Sequence, residues 1–435
     1  MNKPQEITPK TGNYRWTIIS LVFFATTVNY LDRQVISLLK PILEKEFSWT
    51  ETDYSNIVIA FQFAYAIGLL GFGRIIDKIG TKLGYALSLT VWSFASIAHA
   101  FATSTFGFGV ARAALGLSEA GNFPAAVKTV AEWFPKKERA LATGIFNSGS
   151  NIGAIIAPLA VPWIALTWGW QEAFIITGAI GLIWLIFWFI FYEVPAKQAR
   201  LKKAEFDYIH SDTDEIVSEN LEPVKWIKLL GFKQTWAFII GKFMTDPIWW
   251  FLLFWLPSFL KTEYNMTGMQ VSLPLAVVYT MTCFGSIGGG WLSGYLIRKG
   301  WPVYKSRKVS MLAFAICVIP VVAAQALGQI NPWIAVFIIG IAASAHQAWS
   351  ANIFTVASDM FPKKAVASVV GIGSMAGAIG GILIARLAGV LLDHYKNLGH
   401  IETGYYIMFI IAGLSYLTAW LIMHLLAPKM KQVEI

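Results

Sequence analysis

A few ionisable side chains lie deep within long apolar stretches of this sequence: Asp32, Arg33, Arg112, Glu119, Lys242, Asp246 and His346. Placing such a group at the centre of a membrane helix costs roughly 2.5–3.5 kcal/mol, so each one is a candidate for function. An arginine offers a planar fork of donors for a carboxylate, and a carboxylate kept from water favours its protonated form. The residue types therefore predict a functional site inside a membrane, where a substrate would have to pass.

The spacing of these residues predicts which of them share a helix face. Arg112 and Glu119 are seven residues apart, or about two helical turns, and Lys242 precedes Asp246 by four. Lys242 with Asp246 could form a structural ion pair, as could the neighbours Asp32 and Arg33. A direct pair of Arg112 with Glu119 is less favoured because two turns is a long reach.

Polar and aromatic side chains on neighbouring stretches would suit a hydroxylated ligand. The predicted substrate ligands are Arg33, Arg112, Tyr30, Tyr65, Asn147, Lys242, Asp246, Trp249, His346, Gln347 and Asn352. Further donors are Asn151, Trp250, Ser350 and Ser374. The alternative for the aromatic residues is packing or anchoring at the membrane interface, and His346 could be a hydrogen-bonded packing residue.

The elements that must position these groups are apolar helices. The chain is 56% hydrophobic and only 14% charged, whereas a soluble protein carries roughly 25% charged residues. Stretches of about 20 residues, each long enough to cross roughly 30 Å of hydrocarbon, recur along the sequence. We predict crossings at Trp16–Leu38, Asn56–Ile75, Leu83–Ala102, Phe106–Val130, Ala140–Ile164, Glu172–Tyr192, Trp236–Leu260, Val271–Ile297, Val309–Leu327, Pro332–Val356, Val366–Leu392 and Gly404–Leu426.

The basic residues that give the chain its net charge of +9 lie mainly in certain loops, so the charge does not indicate a nucleic-acid surface. Basic residues concentrate on alternate loops, such as 74–82, 136–139 and 298–308, while the loops around Thr103 and Gly169 have almost none. The positive-inside rule therefore predicts that both termini are cytoplasmic, which requires an even number of crossings. Cys283 and Cys317 both fall inside predicted crossings and have no zinc-type spacing, so no metal site is predicted.

Two halves of the sequence repeat each other. Residues 132–137, Glu-Trp-Phe-Pro-Lys-Lys, recur as Asp-Met-Phe-Pro-Lys-Lys at 359–364, and the same offset relates Gly144 to Gly371 and Gly153 to Gly380. This predicts an all-α integral membrane protein of twelve helices in two pseudo-symmetric six-helix bundles, 1–192 and 236–435, joined by a cytoplasmic linker, 193–235. The substrate site is expected near the midplane between the bundles, with His346 opposite Glu119.

Residues 73–82, Gly-Arg-Ile-Ile-Asp-Lys-Ile-Gly-Thr-Lys, resemble the cytoplasmic loop motif of the major facilitator superfamily. Asp77 would stand at a helix end against basic side chains, and we predict that it acts with Arg74 and Lys78 as a latch between the two bundles. The corresponding segment of the second half has Gly294 at the position of the aspartate.

Nearly the whole chain resembles the anion:cation symporter family of that superfamily, and within it the bacterial hexuronate transporters. The matching segments are 29–33 (Asn-Tyr-Leu-Asp-Arg), 112–124, 241–250 and 345–352. The resemblance implies that Asp32 and Glu119 couple transport to protons and that Arg33 and Arg112 serve the anion or its gating. It also implies an importer in the cytoplasmic membrane of a bacterium, with H⁺ as coupling ion and a small carboxylated sugar as substrate. We expect the protein to need no cofactor and to function as a monomer.

Other functions remain as alternatives to this interpretation. Within transport, the chain could be a symporter or exchanger for another organic anion, such as an aldonate or an aldarate. A membrane-embedded enzyme is disfavoured because the sequence has no zinc-type His or Cys spacing and no glycine-rich phosphate loop after a strand. A sensor is disfavoured because the short loops leave no signalling domain.

Overall fold

The structure is a computed structural model that describes residues 12–49, 51–212, 224, 226–266 and 269–434. These residues form helices and no strand. In chain order the helices are α1 (Tyr14–Phe47), α2 (Glu51–Ile79), α3 (Thr81–Ala98), α4 (Thr105–Glu119), α5 (Asn122–Trp133), α6 (Lys136–Thr167), α7 (Trp170–Phe191), α8 (Lys203–Ile209), α9 (Trp226–Leu229), α10 (Lys233–Tyr264), α11 (Met269–Arg298), α12 (Val303–Val318), α13 (Ala324–Gly328), α14 (Pro332–Met360), α15 (Lys363–Asn397) and α16 (Ile401–Leu426).

Twelve crossings follow from these helices when two broken ones are joined. The fourth crossing consists of α4 and α5, and the ninth consists of α12, a short 3₁₀ turn and α13. Within the described part of the chain, nine helical segments are long and apolar enough to cross a membrane by length and composition alone. The remaining three crossings are α1, which carries Asp32 and Arg33, α3, and the interrupted α4 and α5.

The break in the fourth crossing fixes the position of Glu119, which is the last residue of α4. Ala120 and Gly121 separate the two helices. A side chain at Gly121 would collide with the Ser88 hydroxyl, so the chain can pass α3 here only as glycine. Beyond the break, the Asn122 Oδ1 atom accepts a 2.6 Å hydrogen bond from the buried Tyr85 hydroxyl. The local sequence thus holds Glu119 at a fixed helix end.

The helices pack in the same pairs in both halves of the chain. Helix α1 packs on α6, α2 on α4 and α3 on α7. The corresponding helices of the second half pack likewise, with α10 on α15, α11 on α14 and α12 on α16. The two groups meet through α6 with α11 and through α2 with α15, which is again a symmetric pair of contacts. The division at residues 192 and 236 stays a prediction, and residues 213–223 and 225 of the predicted linker lie outside the described residues.

The repeated glycines lie where helices pack closely against each other. A Cβ atom at Gly153 would lie 2.5 Å from the Thr27 carbonyl oxygen on α1, and one at Gly380 would lie 2.7 Å from the Phe243 carbonyl oxygen on α10. Similarly, Gly144 meets the backbone of α11, and Gly371 meets that of α2. The sequence repeat therefore reflects equivalent close crossings, two within the halves and two between them.

Helix α8 ties together the face of the protein at which α1 begins and α16 ends, which we call the terminal face. The buried Glu205 carboxylate accepts 3.1 Å hydrogen bonds from the Tyr14 and Arg15 backbone amides. These amides lie at the start of α1 and have no acceptor within the helix itself. The carboxylate also pairs with the Arg15 guanidinium at 3.1 Å, and that guanidinium pairs with Glu138 on α6 at 2.8 Å. One carboxylate thus caps a helix that begins 191 residues earlier in the chain.

We expect Glu205→Ala to lower the apparent melting temperature of the purified protein by several degrees. The substitution leaves two amides and the Arg15 guanidinium without their acceptor, and breaking a buried ion pair from one side costs about 3–5 kcal/mol. Thermal unfolding in detergent, followed by tryptophan fluorescence, measures the shift. Asp207→Ala on the exposed side of the same helix is the control, and an equal melting temperature for both variants would contradict the capping role.

Candidate functional site

A cavity of about 580 Å³, counting the part that is open to solvent, lies between the two halves. Its lining comes from α1, α2, α5 and α6 of the first half and from α10, α14 and α15 of the second. The lining residues are Tyr30, Arg33, Tyr65, Phe123, Asn147, Ser150, Lys242, Asp246, Trp249, Trp250, His346, Gln347, Ser350, Phe354, Ser374 and Ala378.

On the first half, an arginine faces the cavity with a carboxylate behind it. The Arg33 Nε and Nη2 atoms lie 3.0 and 2.9 Å from Glu119 Oε2. The guanidinium carbon lies 4.8 and 4.7 Å from the ring centres of Tyr30 and Tyr65. The Arg33 side chain is 12% exposed, whereas that of Glu119 is fully buried and does not line the cavity. A ligand in the cavity therefore meets the cation first.

Asp32 points away from Arg33, so the alternative in which these neighbours pair is wrong. Its Oδ1 atom accepts a 2.9 Å hydrogen bond from Ser96 on α3, and its Oδ2 atom has no hydrogen-bond partner among the described residues. The physical reason is helix geometry, because successive side chains on a helix do not face each other. The buried carboxylate is thus held inside the first bundle.

Arg112 does not line the cavity either. Its Nη1 atom donates to the Arg33 carbonyl oxygen over 3.3 Å, and its guanidinium lies 5.7 Å from the Phe61 ring centre. The Nε and Nη2 atoms have no hydrogen-bond partner in the described part of the chain. Glu119 therefore pairs with Arg33 on another helix, while Arg112 supports the backbone of that arginine.

On the second half, the Lys242 ammonium lies 2.7 Å from Asp246 Oδ2, one turn further along α10. The ammonium also sits 4.1 Å from the ring centre of Phe354. The lysine side chain is 5% exposed and the aspartate side chain 18%. The structural ion pair considered from the sequence is present, and both of its members line the cavity.

His346 lies against the same wall of the cavity. Its ring stacks on Trp249 with centres 5.2 Å apart and an interplanar angle of 6°. Its Nδ1 atom is 2.5 Å from the Tyr416 hydroxyl, which lies 3.3 Å from the Thr245 carbonyl oxygen. These contacts fix the orientation of the imidazole, so that it lines the cavity as part of an aromatic wall.

Two amides join the halves at the cavity. Asn147 Nδ2 on α6 donates to Gln347 Oε1 on α14 over 2.7 Å, and to Ser286 Oγ over 3.3 Å. Asn352, in contrast, lies outside the cavity lining, because its Nδ2 atom donates to the Gly289 and Ala348 carbonyl oxygens, 2.9 Å away in each case. Its amide supports helix packing in this conformation.

The structure thus gathers most of the sequence-predicted ligands around one cavity. All of them except Arg112 and Asn352 line it, as do the further donors Trp250, Ser350 and Ser374. Sequence reasoning missed Phe123, Ser150, Phe354 and Ala378. Ser150 lies close to Asn147 on α6, and helical spacing could have revealed it, whereas nothing distinguishes the two phenylalanines from ordinary core residues.

Between the cavity and the terminal face, contacts between the halves form what we call the terminal gate: Asp77, Lys128, Arg139, Arg307, Asp359 and Ser368. Asp77 Oδ1 pairs with Lys128 at 2.8 Å, and Asp77 Oδ2 accepts a 2.8 Å hydrogen bond from the Ser368 backbone amide at the start of α15. Arg307 Nη2 donates to the Lys136 carbonyl oxygen over 2.7 Å, and its Nε atom lies 3.1 Å from Asp359. These contacts join the two halves near the terminal face.

Arg74 and Lys78, the other two residues of the predicted latch, lie in different surroundings from Asp77. Arg74 lines a second cavity together with Ser368, and Lys78 is exposed. The basic partner of Asp77 is Lys128 on α5, outside the loop motif. The latch roles of Arg74 and Lys78 stay a prediction.

We expect Asp77→Asn to open the terminal gate more often, because the substitution removes an ion pair and weakens a charge-assisted hydrogen bond. A reporter cysteine at the buried Thr143, in a background with Cys283→Ser and Cys317→Ser, should then react about tenfold faster with a polar maleimide. Asp207→Asn on the same face should leave the rate unchanged. Equal rates for Asp77→Asn and the parent would contradict the gate role.

The comparisons with known proteins agree with this architecture. A family model described as Major Facilitator Superfamily matches residues 22–385. The hexuronate transporter of Escherichia coli (strain K12) is 34% identical over 389 residues, which covers 88% of this chain and 89% of that protein. The galacturonate transporter of Dickeya chrysanthemi is 34% identical over 284 residues, covering 65% of this chain and 82% of the relative.

A more distant relative and a solved structure extend the comparison. The D-galactonate transporter of Escherichia coli O6:H1 is 27% identical over 396 residues, covering 89% of this chain and 91% of the relative. The solved structure of the proton:xylose symporter XylE superposes with a TM-score of 0.74 at 13% identity, covering 94% of each chain. The predicted twelve-helix fold is thereby confirmed.

Proposed function

Because this chain belongs to the Major Facilitator Superfamily, a family of transporters rather than enzymes, we propose that it imports a hexuronate by proton symport with alternating access. The observation that carries the proposal is the Arg33 guanidinium, which faces a cavity between the two halves while its carboxylate partner lies behind it. The names of the relatives support the sugar-acid class. The bilayer would be the inner membrane of a bacterium, with both termini cytoplasmic and the protein a monomer.

The substrate carboxylate would bind to Arg33. A guanidinium can bind a carboxylate through two parallel hydrogen bonds, and the Arg33 Nε and Nη2 atoms that would make them both contact one oxygen of Glu119, Oε2. The aromatic rings of Tyr30 and Trp249 would pack on the sugar ring, and the amides of Asn147 and Gln347 would bind its hydroxyl groups. The substrate thus competes with Glu119 for the same cation.

That competition supplies the coupling to protons. An unprotonated Glu119 would hold Arg33, whereas a protonated Glu119 would release it to the substrate. Glu119 Oε1 is buried and has no hydrogen-bond partner among the described residues, and the same holds for Asp32 Oδ2. An unpaired buried carboxylate oxygen is costly, and a proton relieves part of this cost. Both carboxylates are therefore the proposed proton carriers.

Alternating access would arise from rocking of one half against the other around the cavity. In the conformation described here the terminal gate is formed. Release into the cell would require the Asp77 and Asp359 contacts to break while the opposite ends of the helices approach each other. The terminal gate would then hold the conformation that loads substrate from outside.

The experiment that tests the substrate class is a competition panel in proteoliposomes. Uptake of labelled galacturonate should be inhibited by unlabelled glucuronate and galacturonate at much lower concentrations than by the neutral sugars xylose and galactose, which have no carboxylate for Arg33. The alternative, a transporter of another sugar acid, is favoured by the D-galactonate relative and predicts that galactonate competes best. Equal inhibition by neutral sugars would contradict both.

A further inference from the structure

The two charged pairs at the cavity have opposite polarity. In the first pair the cation faces the cavity: Arg33 is 12% exposed and Glu119 is fully buried. In the second pair the carboxylate is the more exposed member, with Asp246 at 18% and Lys242 at 5%. The cavity therefore has a positive pole on the first half and a negative pole on the second.

Neighbouring residues hold the Asp246 carboxylate, which is the negative pole, in its position. The Lys242 ammonium contacts both the Asp246 carboxylate and the ring of Phe354, and its side chain is the less exposed member of the pair. On the other side, Gly377 of α15 packs directly on Asp246 Oδ2, and any side chain at that position would collide with the carboxylate. The backbone of α15 thus packs against the Asp246 carboxylate on α10, which fixes the position of the negative pole.

We propose that Asp246 is a specificity-determining residue that admits sugar acids with one carboxylate and excludes those with a carboxylate at each end. This inference rests on the proposed function, because it assumes that the substrate carboxylate binds to Arg33. An ionised carboxylate only accepts hydrogen bonds, so Asp246 suits the hydroxyl groups at the distal end of a hexuronate or an aldonate. The second carboxylate of an aldarate would meet a like charge, which weakens its binding.

The test compares competitors of the same carbon number in proteoliposomes that take up labelled galacturonate. For the wild-type protein, the half-inhibitory concentration of galactarate should exceed that of galacturonate by roughly tenfold or more. In Asp246→Asn this ratio should fall by about tenfold, because the amide removes the charge and leaves Lys242 to attract the second carboxylate. Glu263→Gln, on the same helix but outside the cavity lining, should keep the wild-type ratio.

The outcomes separate this inference from the proposed function. If the wild-type protein takes up galacturonate but galactarate competes equally well, or if the ratio is unchanged in Asp246→Asn, the role of Asp246 is overturned and the proposed function stands. If no sugar acid is taken up, the proposed function itself fails. The wild-type ratio also keeps the inference falsifiable when Asp246→Asn does not fold, and Asp246→Ser then provides the second variant.

Discussion

Glu119→Gln should abolish uptake driven by a pH gradient and leave substrate counterflow intact. The neutral amide of glutamine imitates the protonated form of Glu119, so Arg33, which lies about 3 Å from Glu119 Oε2, stays available to the substrate. The amide cannot gain or lose a proton, however, so the step in which protonation of residue 119 releases Arg33 is lost. Net uptake should fall to the level of protein-free liposomes, while exchange of labelled for unlabelled substrate continues.

The measurement is radiolabelled galacturonate uptake in two formats. The first has an acid exterior and reports uptake driven by the pH gradient. The second has equal pH on both sides and unlabelled substrate inside, and it reports counterflow. Glu172→Gln provides the control, because it makes the same chemical change at the start of α7, outside the cavity lining. Gradient-driven uptake of normal rate in Glu119→Gln would remove Glu119 from the coupling mechanism. Loss of both uptake and counterflow would indicate a structural role instead.

Arg33→Lys should weaken substrate binding by about 10- to 100-fold, which is the second large effect. Lysine keeps the positive charge but has no planar fork, and it also loses the stacked geometry that the guanidinium has against Tyr30 and Tyr65. Loss of one hydrogen bond between charged groups costs about 1.5–3 kcal/mol, which converts to this range. Titration calorimetry with galacturonate measures the dissociation constant without the transport step.

The matched control is Arg200→Lys, an arginine that contacts the Phe191 ring far from the cavity and is exposed. It should bind galacturonate with the parental dissociation constant. If Arg33→Lys also binds within twofold of the parent, a simple positive charge is sufficient and the two-pronged recognition of the carboxylate by Arg33 is wrong.

The sequence predicted the membrane crossings well because hydropathy reports directly on contact with lipid. It predicted the helix ends less well. The first crossing was expected over Trp16–Leu38, but α1 continues to Phe47 and ends where Ser48 adopts a left-handed conformation with φ 52°. The fourth crossing was expected to be continuous over Phe106–Val130, but it breaks at Ala120 and Gly121. Hydropathy detects neither a helix that extends beyond the apolar layer nor a break inside it.

The candidate site was predicted as a set of residues rather than as a set of contacts. The depth of each charge within an apolar stretch identified Arg33, Glu119, Lys242 and Asp246, and the repeat indicated a site between the halves. The partner of Arg33 was not predictable, because Glu119 lies 86 residues away in the chain and only tertiary packing joins α1 to the end of α4. The relative exposure of the charged groups, which gives the cavity its two poles, likewise depends on packing.

Coupling of sugar-acid transport to protons is tested most directly by flux measurement. In proteoliposomes with a more acidic exterior, labelled galacturonate should accumulate above its external concentration, and a protonophore should abolish the accumulation. With equal pH on both sides, adding galacturonate outside should acidify the interior, as reported by a trapped pH dye. Uptake that needs internal substrate and is indifferent to the pH gradient would contradict the account and indicate an exchanger.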